Sequence, residues 1–338
     1  MKKLSRRNIR IAIVGATGAV GKEILKIIQE RGLTSDPPVL LASRRSAGTK
    51  LTFLGNSEEV HELFGESFKN VDIAIFSAGS DVSRVYALFA KNAGCVVIDN
   101  SSAFRMHKDV PLVIPEINAE DIGWHRGIIS NPNCTTAITL MALWPLHKAF
   151  GVKRIIASSY QAVSGAGARG VRELGEQTIA WANDKMPTVD FFPHQIAFNV
   201  LPFIDSLMPS GYTREEEKMA GEGRKIMHHL AFKASVTCVR VPVFRAHSVS
   251  VSAEFEKPIT ADTATKILLA APGIIVSDDP SCSRYPTPLQ AAGQDECFVG
   301  RIREDTAFDN GLSFFVCGDQ LRKGAALNAV QIAEHLVS

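Results

Sequence analysis

Residues 9–31 read IRIAIVGATGAVGKEILKIIQER, and this stretch decides the fold. Ile9–Val14 is a β-rich run, and Val20–Arg31 carries apolar Ile24, Leu25, Ile27 and Ile28 at helical spacing. Between them stand Gly15, Gly18 and Gly21. Glycines there permit a tight turn and close approach of main chain to a phosphate, and the helix start supplies free N–H groups and a positive dipole end. A strand, a glycine loop and a helix in that order point to dinucleotide binding. A glycine turn that only packs helix on strand is the alternative.

Working outward, the alternation continues with strands at Val39–Ala42, Val71–Phe76 and Cys95–Asp99 and a helix over Val82–Asn92. Such alternation implies right-handed βαβ units and a doubly wound parallel sheet. After Phe150 the character changes. A helix near Ala168–Trp181 is followed by a loop-rich stretch to Tyr212 and a long β-rich run, Ala234–Phe255. Strands without intervening helices suggest a mixed sheet, which can leave one face free. The last segment, KGAALNAVQIAEHLVS, returns to helical spacing, with Ala326, Val330 and Ala333 on one stripe. At 338 residues the chain exceeds what one core usually supports, so two domains are expected.

Composition excludes several classes. With 46% hydrophobic and 21% charged residues the chain is an ordinary globular protein, and a net charge of +2 gives no basic face for nucleic acid. Six cysteines show no CxxC spacing, so no metal site is expected, and a chain this long needs no disulfides, which suits a reducing cytoplasm. The start, MKKLSRRNIRIAIV, pairs Arg6-Arg7 with an apolar run, but Ile11–Val14 is far shorter than the roughly 7 to 15 residues of an export signal. No run approaches the roughly 18 apolar residues of a membrane span.

Two segments carry chemistry. VLLAS runs into RRSAG, so Ser43, Arg44, Arg45 and Ser46 stand where an NAD enzyme usually has an acidic residue, which favours the 2′-phosphate of NADP. In SNPNCTTAITL, Pro132 disfavours a helix upstream and Asn133 is a good cap, so Cys134 falls in the first turn of a helix. That position stabilises a thiolate, and the same N–H groups can hold an oxyanion. His247, in VRVPVFRAHSVSV, is a candidate proton partner. Arg240 lies an odd number of residues before it, on the opposite face of a regular strand, unless Pro242 introduces a bend.

With these residues in view the chain resembles the aspartate-semialdehyde dehydrogenase family, from Ile9 to its end. The resemblance rests on GATGAVG, SRRSAG, IDNSSAFR, VPLVIPEIN, SNPNCTT, YQAVSGAG, REEEK, CVRVPVFRAHS and LRKGAALNAVQIAE. It implies an N-terminal Rossmann-like doubly wound NADP-binding domain, residues 1–133 and 320–338, and an α+β catalytic and dimerisation domain with a mixed sheet, residues 134–319. It implies NADPH-dependent reductive dephosphorylation of aspartyl phosphate to the semialdehyde in the biosynthesis of lysine, threonine and methionine, by a cytoplasmic homodimer without metal. On this resemblance Cys134 is the nucleophile, His247 the acid/base and Gln161 the amide orienting the reacting centre. Arg105 and Lys218 take the phosphate, Arg240 the α-carboxylate and Glu215 the amino group. Thr17, Gly18, Ala19 and Val20 form the pyrophosphate loop, Ser43, Arg45 and Ser46 the 2′-phosphate end, and Ser164, Gly165 and Gln320 the nicotinamide end. One departure is visible: the family commonly has Asp-Asn where this chain has Asp319-Gln320. Two alternatives stand beside it, an N-acetylglutamyl-phosphate reductase with the same cysteine chemistry and a catalytically silent NADP-binding relative.

Overall fold

Alternating apolar residues on one parallel sheet set up the first half of the chain. The computed structural model describes residues 9–337. These form two compact units, one running to Asn133 and taking up the chain again from Ala325, the other spanning Cys134–Gly324. The Arg6-Arg7 pair weighed above lies outside the described residues.

In the first unit, β1 (Ile11–Val14) leads through α1 (Ala19–Arg31) to β2 (Val39–Ala42), and a hairpin of β3 (Lys50–Phe53) and β4 (Asn56–Glu59) precedes β5 (His61–Glu62). Then come β6 (Ile73–Phe76), α2 (Ser80–Asn92), β7 (Val96–Asp99), the short α3 (Pro115–Asn118) and β8 (Ile128–Ser130). Six strands pair in the order β5-β2-β1-β6-β7-β8, all parallel. Both faces are covered, as parallel sheets require. Ile11 and Ile13 of β1 and Ile73 and Ile75 of β6 face one core, while Ala12, Val14, Ala74 and Phe76 face the other. The chain leaves β1 for β2 and later returns to β6 on β1's other side, so the glycine loop opens at the point where winding reverses.

Two of its glycines are irreplaceable. Gly15 has φ +88°, and a Cβ there would stand 2.4 Å from the Ser77 carbonyl oxygen; a Cβ on Gly21 would stand 2.2 Å from the Gly15 oxygen. Gly15→Ala is expected to destabilise by at least about 2 kcal/mol, since it adds both a clash and an unfavourable φ. A denaturant midpoint equal to that of the parent would show that the loop relaxes freely.

The second unit begins with α4 (Cys134–Phe150) and β9 (Val152–Gln161), followed by α5 (Ala168–Ala182), α6 (Arg214–Ile226), β10 (Lys233–Arg240) and β11 (His247–Phe255). It closes with α7 (Ala261–Leu269), β12 (Ile274–Val276), α8 (Pro288–Ala291), β13 (Cys297–Glu304) and β14 (Gly311–Gly318). The six strands run β10-β9-β11-β14-β13-β12 in a mixed sheet. α4 is buried along nearly its whole length and packs on β9, β11, β13 and β14. The opposite face presents Ile156 (55% exposed) and Tyr160 (39% exposed) on β9 beside the serines of β11.

The expected long β run is two strands. The chain leaves the ladder after Arg240, two residues before Pro242, Ala246 turns at φ +72°, and the chain re-enters as β11. Residues 320–324, expected with the first domain, group with the second unit instead. Asp319 explains this: its Oδ1 accepts the N–H groups of Leu321 and Arg322, and its carbonyl accepts that of Gly324. The closing helix α9 (Leu327–Val337) then buries Val330 and Ala333 in the first unit's core, on the stripe the sequence predicts.

Candidate active site

Three neighbouring strands of the second unit end at one place. Gln161 is the last residue of β9, Arg240 the last of β10 and paired directly with Gln161, and His247 the first of β11, one step beyond the Ser248–Tyr160 pair. A regular strand would put Arg240 and His247 on opposite faces, unless Pro242 bent it. They instead flank β9 from either side, joined by the loop 241–246.

That loop is tied down. Val163 N–H donates to the Val243 carbonyl, Arg240 Nη1 donates to the Ala162 carbonyl at 2.8 Å, and Ala162 N–H donates to His247 Nδ1 at 3.1 Å. Gly165 makes this packing possible, since a Cβ there would lie 3.0 Å from both Arg240 Nη1 and His247 Cε1. Ser164 Oγ donates to the Phe244 carbonyl and accepts from Gln320 Nε2, while Gln320 Oε1 accepts the Ala246 N–H. Gln320, expected at the nicotinamide end, thus has one end of its amide bonded to Ser164 and the other to Ala246 in the loop that delivers His247. Its longer arm reaches the main chain.

His247 is fully buried, and Nε2 has no hydrogen-bond partner. Because Nδ1 accepts, the proton of the neutral ring sits on Nε2, so the unpartnered atom is a donor. Burial, then repulsion from the Arg240 guanidinium, pushes its pKa down to about 3, with Glu215 opposing weakly. The ring is therefore neutral at physiological pH. Arg240 is also buried, and burial lowers its pKa, but attraction to Cys134 and Glu215 works the other way and the guanidinium stays charged.

Cys134 opens α4 as its first residue, half-buried, where the helix dipole favours negative charge. Gly324 lies against it: a Cβ there would come within 2.8 Å of the Cys134 Cβ. The other thiols are unsuited to attack. Burial pushes Cys95 up to about 11 and both Cys238 and Cys317 up to about 12; Cys297 is fully buried and Cys282 lies on an exposed turn.

Gln161 Nε2 donates to Thr135 Oγ1 (2.9 Å), Ser159 Oγ (3.3 Å) and Glu215 Oε1 (3.2 Å), so its amide plane is set by its neighbours. Glu215 and Lys218 share one face of α6, whose start is fixed by a Thr213–Glu216 capping box. Lys218 Nζ donates to Glu215 Oε2 at 2.7 Å. Within REEEK, Glu215 is buried and Lys218 half-buried, while Arg214 and Glu217 are exposed, so one side of this helix start faces solvent and the other carries the pair. Thr135, Ser159 and the main chain of Ala162 had no mark in the sequence; only strand register brings them to the site.

In the first unit, Arg105 Nε donates to the Asn131 carbonyl and Nη2 to the Asn100 carbonyl. Asn131 is buried, donates to Asn100 Oδ1 and accepts from Asn328 Nδ2. This asparagine network, which the sequence did not reveal, stiffens the segment that leads to Cys134. Thr17–Val20 line the start of α1, capped by Gly18 with no side-chain bond, and Ser43, Arg44 and Arg45 are exposed directly after β2, next to β1. Glycines keep the loop tight, the start of α1 has no side-chain cap, and two exposed arginines follow the neighbouring strand, so these residues suit a dinucleotide carrying an extra phosphate. Among the described residues, no helix is long and apolar enough to cross a membrane, and no three His, Cys, Asp or Glu side chains could hold a metal ion.

A glycine-loop unit suited to a dinucleotide, continuing into a unit with a mixed sheet, is the arrangement of a two-domain dehydrogenase. The comparisons agree. Residues 10–125 match the family model described as semialdehyde dehydrogenase, NAD binding domain, and residues 143–323 the semialdehyde dehydrogenase, dimerisation domain. Aspartate-semialdehyde dehydrogenase of Aquifex aeolicus is 55% identical over 97% of this chain and 98% of its own. The crystal structure of aspartate semialdehyde dehydrogenase II complexed with ASA from Vibrio cholerae superposes with a TM-score of 0.94 at 43% identity, covering 98% of each chain. That of the Candida albicans enzyme with NADP gives 0.76 at 25% identity, over 97% of this chain and 98% of the other. The chain belongs to the aspartate-semialdehyde dehydrogenase family.

Proposed function

We propose that the protein is an NADP-dependent aspartate-semialdehyde dehydrogenase, reducing L-aspartyl 4-phosphate to L-aspartate 4-semialdehyde with release of phosphate, as a cytoplasmic homodimer. The observation that carries this reading is the convergence of Gln161, Arg240 and His247 at three adjacent strand ends, with the charged pair Glu215–Lys218 bonded to that same Gln161.

The Cys134 thiolate, which the start of α4 favours, attacks the acyl carbonyl; the C–S bond forms, and the C–O bond to phosphate breaks to leave a thioester and free phosphate. NADPH, when bound, supplies the hydride that reduces this carbon. His247 Nε2–H donates to the oxygen of each tetrahedral intermediate, and the first-turn N–H groups of α4 add to that stabilisation. The hemithioacetal alkoxide then collapses, breaking the C–S bond to release the aldehyde and restore the thiolate. Arg240 grips the α-carboxylate through its guanidinium. Glu215 receives the ammonium group, and Lys218 in the second unit and Arg105 in the first serve the phosphate. Thr17–Val20 hold the pyrophosphate, Ser43, Arg45 and Ser46 the 2′-phosphate, and the loop of Ser164 and Gly165 the nicotinamide end.

A buried carboxylate suits a free amine and not an acetylated one, which separates this reading from N-acetylglutamyl-phosphate reduction. Phosphate-dependent oxidation of the two semialdehydes, each with NADP and NAD in parallel, tests it. Turnover with aspartate semialdehyde and NADP is expected to dominate. Activity confined to the acetylated compound would overturn the substrate, and preference for NAD the role of Arg45.

A further inference from the structure

Lys218 stands between two carboxylates, and only one of them has a part in the reaction above. Its ammonium donates to Glu215 Oε2 at 2.7 Å and to Asp205 Oδ2 at 3.2 Å. Asp205 comes from a strap fastened at both ends to substrate-binding elements. Leu201 exchanges two main-chain hydrogen bonds with Arg240, at 2.9 and 2.8 Å, and Arg214 N–H at the head of α6 donates to the Ser206 carbonyl. Within the strap Asp205 turns at φ +73°, with Oδ1 accepting the Ser206 N–H at 2.8 Å. The left-handed turn aims the other carboxylate oxygen at Lys218. The Glu215 side chain is 8% exposed, whereas those of Lys218 and Asp205 are 18% and 34% exposed. Asp205 therefore covers the more open side of the ammonium.

We propose that Asp205 is the resident counter-ion of Lys218, holding the ammonium position that the substrate's phosphate group must take, and so sets how tightly phosphate is bound and released. The proposal rests on the reading of Lys218 as a phosphate ligand. A partly exposed ion pair is weak, and a dianionic phosphate displaces it readily. Two anions crowded at one ammonium repel, so the carboxylate opposes phosphate. Asp205 touches Lys218 and no reacting atom. It is a positioning residue, and its effect falls on one substrate.

The test is the phosphate-dependent oxidation of aspartate semialdehyde by the full chain, with inorganic phosphate varied. Asp205→Asn keeps the shape and a residue tolerant of the left-handed turn, and removes the charge. Its KM for phosphate is expected to fall roughly threefold or more, as relief of like-charge crowding implies, with the KM for the semialdehyde within about twofold of the parent. The rise in Tm produced by inorganic phosphate alone is expected to grow in the same variant, a binding readout that needs no turnover. An unchanged or raised phosphate KM, or both KM values moving together, overturns the proposal. Lys218→Ala separates the two layers. A phosphate KM raised about tenfold or more supports Lys218 as the ligand, and one that stays put removes that assignment and the Asp205 proposal with it.

Discussion

Cys134→Ala is expected to abolish turnover, with kcat down by at least about 10⁴-fold, while affinity for NADP stays within about twofold of the parent. The thiol is the only group at the head of α4 that can carry an acyl chain through two steps, and alanine cannot replace it by proximity. The residues that suit the dinucleotide belong to the other compact unit, on the glycine loop and after β2. Alanine is a good helix former, so α4 keeps its start. Fluorescence titration with NADPH and a steady-state assay check the two halves. A variant that still turned over at a hundredth of the parent rate would mean that the nucleophile lies elsewhere. Cys238 is no substitute, because burial holds its thiol at about 12.

His247→Asn is the second large effect. Loss of the Nε2 donor is expected to lower kcat by about 10²- to 10⁴-fold. The pH dependence makes this more specific. With its pKa held near 3 in the folded chain, the free enzyme's His247 does not titrate between pH 5 and 8. The kcat/KM profile of the asparagine variant should therefore keep the parent's shape at a lower level, and a lost limb in that range would overturn the neutral-donor role. Stability responds too. An unfolded histidine takes a proton near pH 6.5, whereas the folded one resists until about 3, so the unfolded state binds more protons in between. Stability is thus expected to fall as pH drops below about 6.5, by up to about 1.4 kcal/mol per pH unit from this one group, and the asparagine variant should lose that slope.

The first unit was largely legible because its cues are local. Glycines set between a strand and a helix, strand residues that alternate between two cores and the arginines after β2 all declare themselves within a few residues. Cys134 was legible for the same reason, through Pro132 and Asn133. The second unit was not. Whether Arg240 and His247 share a pocket depends on β9 sliding between their strands, a pairing set by residues far away in sequence. The asparagine network of Asn100, Asn131 and Asn328 was hidden likewise, since single amides become meaningful only when folding closes them on one another. β12, β13 and β14 passed unread because IIV is only three residues long, CFVGRIRE turns charged in its second half and GLSFFVCG is bounded by glycines.

The strand order β10-β9-β11 has a further consequence for how such a protein can change. Gln161 and Arg240 are neighbours in the ladder, yet all of the chain between them, including the Asp205 strap and α6, forms one excursion that leaves the sheet and returns to it. That excursion carries the charges that choose among substrates. Away from Ala162–Gly165 and Leu201, which hold Arg240 and His247 in place, it can be lengthened or shortened without moving the strands that carry the amide, the guanidinium and the imidazole. Selectivity and chemistry are therefore separately evolvable here, and a redesign for another acyl phosphate would begin between residues 162 and 232.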